Sequence, residues 1–210
     1  MATIKIVSNL KLHPKKGLLA KDSSGKWVKV HYQQGELDGA CAVYSVVMNL
    51  LILSIIKEED ICLYNPIDKR KRTGKILAHL LENNGLVRDG YYFKTLAKKL
   101  RDYSNIDAKH KRRIGIEETI SFIRSNIYKD TPIIISVSGT DWAHAILVIG
   151  IEYNDKNIPS KFLCLDPGAP SPIYAHWNCI VDISTPTIWY KTECNQDKVE
   201  IRDMILISNE

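Results

Sequence analysis

The chain has 210 residues, 45% of them hydrophobic, and its 29 basic and 24 acidic side chains leave a formal charge of +5. That length supports one well-packed core, with two lobes at most, and is too short to argue for two independent domains. The basic excess is spread along the chain, which predicts mildly basic patches and no nucleic-acid partner.

Residues 1–38 read as an N-terminal arm. The opening Met1-Ala2-Thr3-Ile4-Lys5-Ile6-Val7 alternates polar and apolar residues and lacks the apolar core of a secretory signal. Residues 1–40 are expected to be irregular, with a short strand at Lys26-Trp27-Val28-Lys29-Val30 after the turn residues Asp22-Ser23-Ser24-Gly25. From 40 to about 57 the chain is apolar on nearly every face, which predicts a helix wrapped by the rest of the fold. Its most apolar stretch, 46–56, is well short of the roughly 18–20 residues that cross a bilayer, so no membrane span is expected.

Residues 39–130 form a helical part. After a polar, basic connection at 65–74, amphipathic periodicity predicts helices over 75–83 and 91–103, a second basic loop over 104–115, and a helix over 116–128. Residues 131–210 form a sheet part. β-Branched runs predict strands at 133–138, 145–151, 161–165, 178–183, 187–190 and 204–207. Helices first and a largely antiparallel sheet second give an α+β class in one domain, 1–210.

The five cysteines, Cys41, Cys62, Cys164, Cys179 and Cys194, are irregularly spaced and contain no CxxC pair. A zinc ribbon or thioredoxin-type motif is therefore absent, and a reducing compartment fits better than a disulfide framework. A buried cysteine is ordinarily an inert small hydrophobe. Cys41 differs because Asp38-Gly39-Ala40 precede it as a tight turn of small residues and the apolar helix starts at once. A thiol at a helix N-terminus feels the positive end of the helix dipole, which favours thiolate.

Of the six histidines, His13, His31, His79 and His110 have polar neighbours and read as solvated. His144 instead opens a strand of core character, where an imidazole can take and return a thiol proton. His176 competes with it but lies in what reads as a mobile loop. Asp166, in Leu165-Asp166-Pro167, ends the following strand, and antiparallel pairing would bring it beside His144 to fix the imidazole tautomer. Asn178 is the alternative orienting residue, and Asp141 a weaker one. Gln34 or Gln33 would donate to an oxyanion beside the Cys41 backbone N–H, with Gln34 preferred as the nearer.

These residues, in this order, resemble the papain-like cysteine peptidase superfamily, and within it the bacteriocin leader (double-glycine) peptidases and related bacterial effector proteases. The resemblance runs over about 33–170. It implies Gln34 as oxyanion donor, Cys41 as nucleophile, His144 as base and Asp166 as orienting residue. The implied fold packs the Cys41 helix against a mainly antiparallel sheet, with the site in the cleft between. The implied partner is a protein or peptide substrate, and no metal or organic cofactor is required. A monomer is expected, in the cytoplasm or delivered by a route without a signal peptide. Glutamine deamidation or transglutamination would use the same triad, and a silent papain-like binding module would keep the fold without the chemistry.

Overall fold

The computed structural model describes residues 2–35, 39–61, 68–71, 74–75, 78, 92–104, 106–112 and 115–208. Cys62, His79, Asp38 and most of the helix expected over 75–83 lie outside those residues.

The N-terminal segment is more regular than its sequence suggests. It holds β1 (Thr3–Ile6), β2 (Lys11–His13), β3 (Gly17–Lys21) and β4 (Trp27–Lys29). β3 reads GLLAK and its first four residues are all buried, so it lacks the alternation that marks a half-buried strand. β2, β3 and β4 form a separate three-stranded antiparallel sheet. The basic excess is also less evenly distributed than expected. Residues 10–34 hold six lysines (Lys11, Lys15, Lys16, Lys21, Lys26 and Lys29) against Asp22 alone, an excess of five that equals the +5 of the entire chain.

Helix α1 (Cys41–Ile52) stops about five residues earlier than its hydropathy predicts. Ser54 has a φ of 56°, Ile55 N–H donates to Leu50 O and Ser54 N–H donates to Leu51 O. That is a Schellman ending in which a serine fills the left-handed position usually given to glycine, so the sequence shows no obvious stop. Ser45 and Asn49, which interrupt the apolar run, share a stripe with Cys41 at i, i+4, i+8 that faces the sheet. Ser45 Oγ donates to Ala145 O at 3.1 Å, and Asn49 Nδ2 donates to Pro132 O at 3.2 Å.

Helices α2 (Phe93–Ser104) and α3 (Ile116–Ile127) follow their amphipathic patterns. Between them the expected basic loop contains β5 (Asp107–Arg112). Its charged side chains conceal a strand because Ala108 is its only fully buried residue and Lys109 and Arg112 are exposed.

The remaining strands are β6 (Ile133–Ser138), β7 (Ala143–Tyr153), β8 (Pro159–Leu165), β9 (Cys179–Asp182), β10 (Trp189–Thr192), β11 (Gln196–Lys198) and β12 (Glu200–Ser208). They form one sheet in the order β11-β10-β9-β8-β7-β6-β12-β5, with β1 added to the far end of β7. Every pairing among the described residues is antiparallel. α1 and α3 pack across β6 and β7, and α2 covers β5 and β12. The core lies between these helices and the sheet, with residues such as Leu50, Leu51, Ile123, Ile146 and Met204 fully buried.

Candidate active site

β7 and β8 pair with Leu147 opposite Leu165, so the residue after β8 emerges beside the first residues of β7. Asp166 Oδ1 meets His144 Nε2 there at 2.5 Å. The carboxylate is 1% exposed, a costly place for a charge unless it is fully hydrogen-bonded. Its partners are all present. Oδ1 also accepts the Gly168 N–H at 2.6 Å, and Oδ2 accepts the Tyr190 hydroxyl. Burial alone would raise the Asp166 pKa, but His144, Tyr190 and the Gly168 N–H outweigh it and hold the group below the usual carboxylate range.

Gly168 packs closely here: a Cβ would sit 3.2 Å from Asp166 Oδ1, tighter than most side-chain contacts, and 3.4 Å from His144 Nε2, at ordinary contact distance. Tyr190 is itself covered by Trp142, whose ring meets it edge-on at 5.8 Å. Trp142 closes a tight turn over Gly139, where a Cβ would come within 2.4 Å of the indole nitrogen.

Cys41 is the first residue of α1, and Ala40 before it brings no side-chain oxygen to cap the helix. The Ala145 N–H points at Cys41 Sγ at 3.4 Å, while the Ala145 carbonyl accepts from Ser45 one turn further along α1. This double tie on one residue of β7 fixes the thiol next to His144. With Nε2 engaged by Asp166, Nδ1 is the imidazole nitrogen left for the thiol. Burial by itself would push the Cys41 pKa up; the hydrogen bond and charge of His144, with the Ala145 and Ala42 N–H groups, bring it down instead. Burial would push His144 down, but Asp166 and Cys41 carry it up to about 10. Both shifts run in the direction that favours the charged form of each group.

Gln34 lies on the same side of the fold, its N–H donating to Pro167 O at 2.9 Å. Its Oε1 is buried with no hydrogen-bond partner among the described residues, whereas Gln33 is exposed. Among the described residues Asn178 makes no hydrogen bond to His144, and its Nδ2 lies 3.1 Å from His31 Nε2. Its carboxamide clasps the Asp166 backbone, with Oδ1 accepting the Asp166 N–H at 2.8 Å and Nδ2 donating to Asp166 O at 2.9 Å. Asp141 is exposed, and burial depresses the pKa of the half-buried His176.

His31 is the site residue that its sequence context hides. Expected to be solvated, it is 1% exposed, with Nε2 2.7 Å from Asp166 O and Nδ1 2.9 Å from Ser171 Oγ. Both contacts are satisfied at once if Nε2–H donates to the carbonyl and Nδ1 accepts from the serine. Burial lowers the pKa of this imidazole, against the opposing pull of Asp166. Ser171, placed by sequence in a mobile loop, is therefore anchored. His13 and His110 are also engaged: His13 Nδ1 accepts the Lys15 N–H at 3.1 Å, and His110 Nε2 meets Asp203 Oδ1 at 2.6 Å.

A cleft of about 670 Å³ is lined by His144, Asp166, Tyr174, Trp177, Tyr190 and Cys194, among others, and Cys41 is not among its lining residues. Among the described residues no group of three His, Cys, Asp or Glu side chains converges as a metal site would. No helix among them is long and apolar enough to cross a membrane.

No protein-family model matches the chain, and no curated protein matches it. Among solved structures, UfSP from C. elegans superimposes with a TM-score of 0.50 at 16% identity. The match covers 100% of this chain and 35% of that one, so the chain spans about a third of its structural neighbour. At that identity the likeness is one of fold: a mixed α/β domain with a mainly antiparallel sheet.

Proposed function

We propose that the chain is a cysteine peptidase that cleaves a protein or peptide through a thioester. The observation that carries this reading is the contact chain from the Cys41 thiol through the His144 imidazole to the Asp166 carboxylate, with the thiol pKa pulled down and the imidazole pKa pushed up. The fold likeness to UfSP supports it at the level of architecture.

In this mechanism the Cys41 thiolate attacks the scissile carbonyl carbon, and the carbonyl π electrons move to oxygen. The first N–H groups of α1 face the developing oxyanion with the positive end of the helix dipole. Gln34 supplies a second donor: its buried carboxamide has an unpartnered oxygen, and rotating the amide end to present Nε2 to the oxyanion removes that mismatch. The His144 imidazolium then protonates the leaving amine, and the C–N bond breaks to give the acyl-enzyme. Neutral His144 takes a proton from water as it attacks the thioester, and thiolate and acid are released. Asp166 keeps the imidazole in one orientation throughout and stabilises its charged form.

The test is labelling with an electrophilic thiol probe at neutral pH, followed by mass-spectrometric mapping. Cys41 is expected to be labelled, and His144→Ala to suppress the labelling. Labelling spread over Cys41 and Cys194 alike, or indifferent to His144→Ala, overturns the assignment. Glutamine deamidation proceeds through the same thioester; a one-dalton gain on a partner protein, instead of a cleaved chain, would replace peptide hydrolysis with that reaction.

A further inference from the structure

The β2–β3–β4 sheet has one face in the core, and on the other face exposed lysines and Trp27 surround a buried Leu19. Leu18, Ala20 and Val28 point inward and are buried. Side chains alternate along strands, so the opposite face collects Lys11, Leu19 and Lys29, which are opposite one another in register, with Lys21 and Trp27 in the next row. Trp27 is 43% exposed, and its ring carries the ammonium groups of Lys11 at 5.7 Å and Lys21 at 5.5 Å. Lys29 lies over the Tyr32 ring at 5.4 Å. All six lysines of residues 10–34 are exposed. The one acidic residue within 10–34, Asp22, is 4% exposed and accepts from Ser24 and from the Lys26 and Glu58 N–H groups, and Lys26 Nζ pairs with Glu59 Oε1 at 3.3 Å.

The position of this face matters as much as its charge. β3 begins at Gly17, where a Cβ would lie 3.2 Å from Pro172 O, on the loop that lines the cleft. β4 ends at Lys29, and two residues later, about 7 Å along an extended chain, His31 binds the Asp166 carbonyl. The sheet and the candidate site are thus parts of one packed body.

We propose that this face docks an acidic segment of the protein substrate, several residues away from the scissile bond. The word substrate rests on the peptidase reading; the docking surface itself does not. Lysines held against aromatic rings have already given up part of their rotamer freedom, which lowers the entropic cost of meeting carboxylates. Two other anionic partners fit less well. A nucleic-acid base would have to displace ammonium groups from the Trp27 ring before stacking on it. A lipid surface would need apolar side chains to insert, and Leu19, the other apolar residue on the face, is 6% exposed.

The experiment is fluorescence anisotropy with a fluorescein-labelled twelve-residue polyglutamate peptide and full-length Cys41→Ala protein, titrated with salt. Binding is expected, weakening as salt rises, and the Lys11→Gln, Lys21→Gln, Lys29→Gln combination should reduce affinity at least tenfold. Lys156→Gln, in a turn of the large sheet, should leave it unchanged. Absence of binding, or equal binding by the triple variant, overturns the surface. Tighter lysine-dependent binding of a twelve-nucleotide oligothymidylate or of phosphatidylserine vesicles overturns the acidic-protein occupant. Thiol-probe labelling of Cys41 in the triple variant, otherwise wild type, reports folding and the active site separately. A dead thiol with intact peptide binding removes only the peptidase reading.

Discussion

Cys41 and Cys179 are the same side chain in two parts of one molecule, and their pKa values move in opposite directions. Cys179 lies across the β8–β9 ladder from Cys164, and burial raises it well above the ordinary thiol, helped by Cys164 and the Asp166 charge. Cys41 also carries a burial penalty, yet the net direction is down, because an imidazole and two N–H groups meet its sulfur. Burial beside another thiol and a carboxylate raises a thiol's pKa, whereas burial beside an imidazole and N–H donors leaves it lowered.

The largest test of that contrast is His144→Ala. Alkylation of Cys41 by iodoacetamide at neutral pH should fall by about two orders of magnitude, and peptide hydrolysis by roughly 10²–10⁴, the usual worth of a positioned acid–base group. Cys179 should stay unmodified in the native state of both proteins. Labelling of Cys179 on the same timescale as Cys41 would break the comparison. Next in size is Gln34→Ala, which should cost about 10²–10³ in kcat as loss of one oxyanion donor does. Cys41 alkylation should be unchanged, since the glutamine acts on the transition state and not on the thiolate.

The pH profile sharpens the contrast further. The Cys41 pKa is depressed, so reactivity should already be developed below the ordinary thiol value of 9.0, and be lost as pH falls through the lowered pKa. The His144 pKa is raised to about 10, so the imidazolium partner persists until pH climbs through that value. Asp166→Asn should bring the upper limit down toward the free imidazole range while retaining Cys41. The smallest effect is expected from Tyr190→Phe, which removes one donor from a carboxylate that keeps two others. Loss of a hydrogen bond to a charged group, about 1.5–3 kcal/mol, should appear as a drop of roughly 3–12 °C in Tm at this chain length, with kcat reduced about tenfold or less.

The parts of the site that sequence reveals are those with a local signal. Cys41 stands at a helix start, His144 at a strand start and Asp166 before Pro-Gly, and each lies where its own neighbours suggest. The residues that hold them in place have no such signal. His31 reaches Asp166 across 135 residues of sequence and Tyr190 reaches it across 24, in both cases through tertiary packing. Ser45 donates to the Ala145 carbonyl, a partner 100 residues away that its own neighbours do not announce. The same holds for the fold. The long hydrophobic strands β6, β7 and β8 are legible because burial on both faces leaves unbroken apolar runs. β3 is too short and too uniformly buried to show a period, and β5 too highly charged to read as a strand.

The placement of β5 has a consequence for how the chain assembles. Within the described sheet β5 pairs with β12 alone, and some ninety residues separate the two in sequence. During synthesis β5 is made long before the strand that will cover it, so one face of its backbone hydrogen bonds must wait. A waiting strand edge is a template for aggregation. Lys109, Lys111 and Arg112, which hid the strand from a reading by hydropathy, put charge beside that edge. In the folded chain Lys109 pairs with Asp107 at 2.9 Å and Lys111 with Glu118 at 3.6 Å. Charge beside an open edge disfavours pairing with another chain.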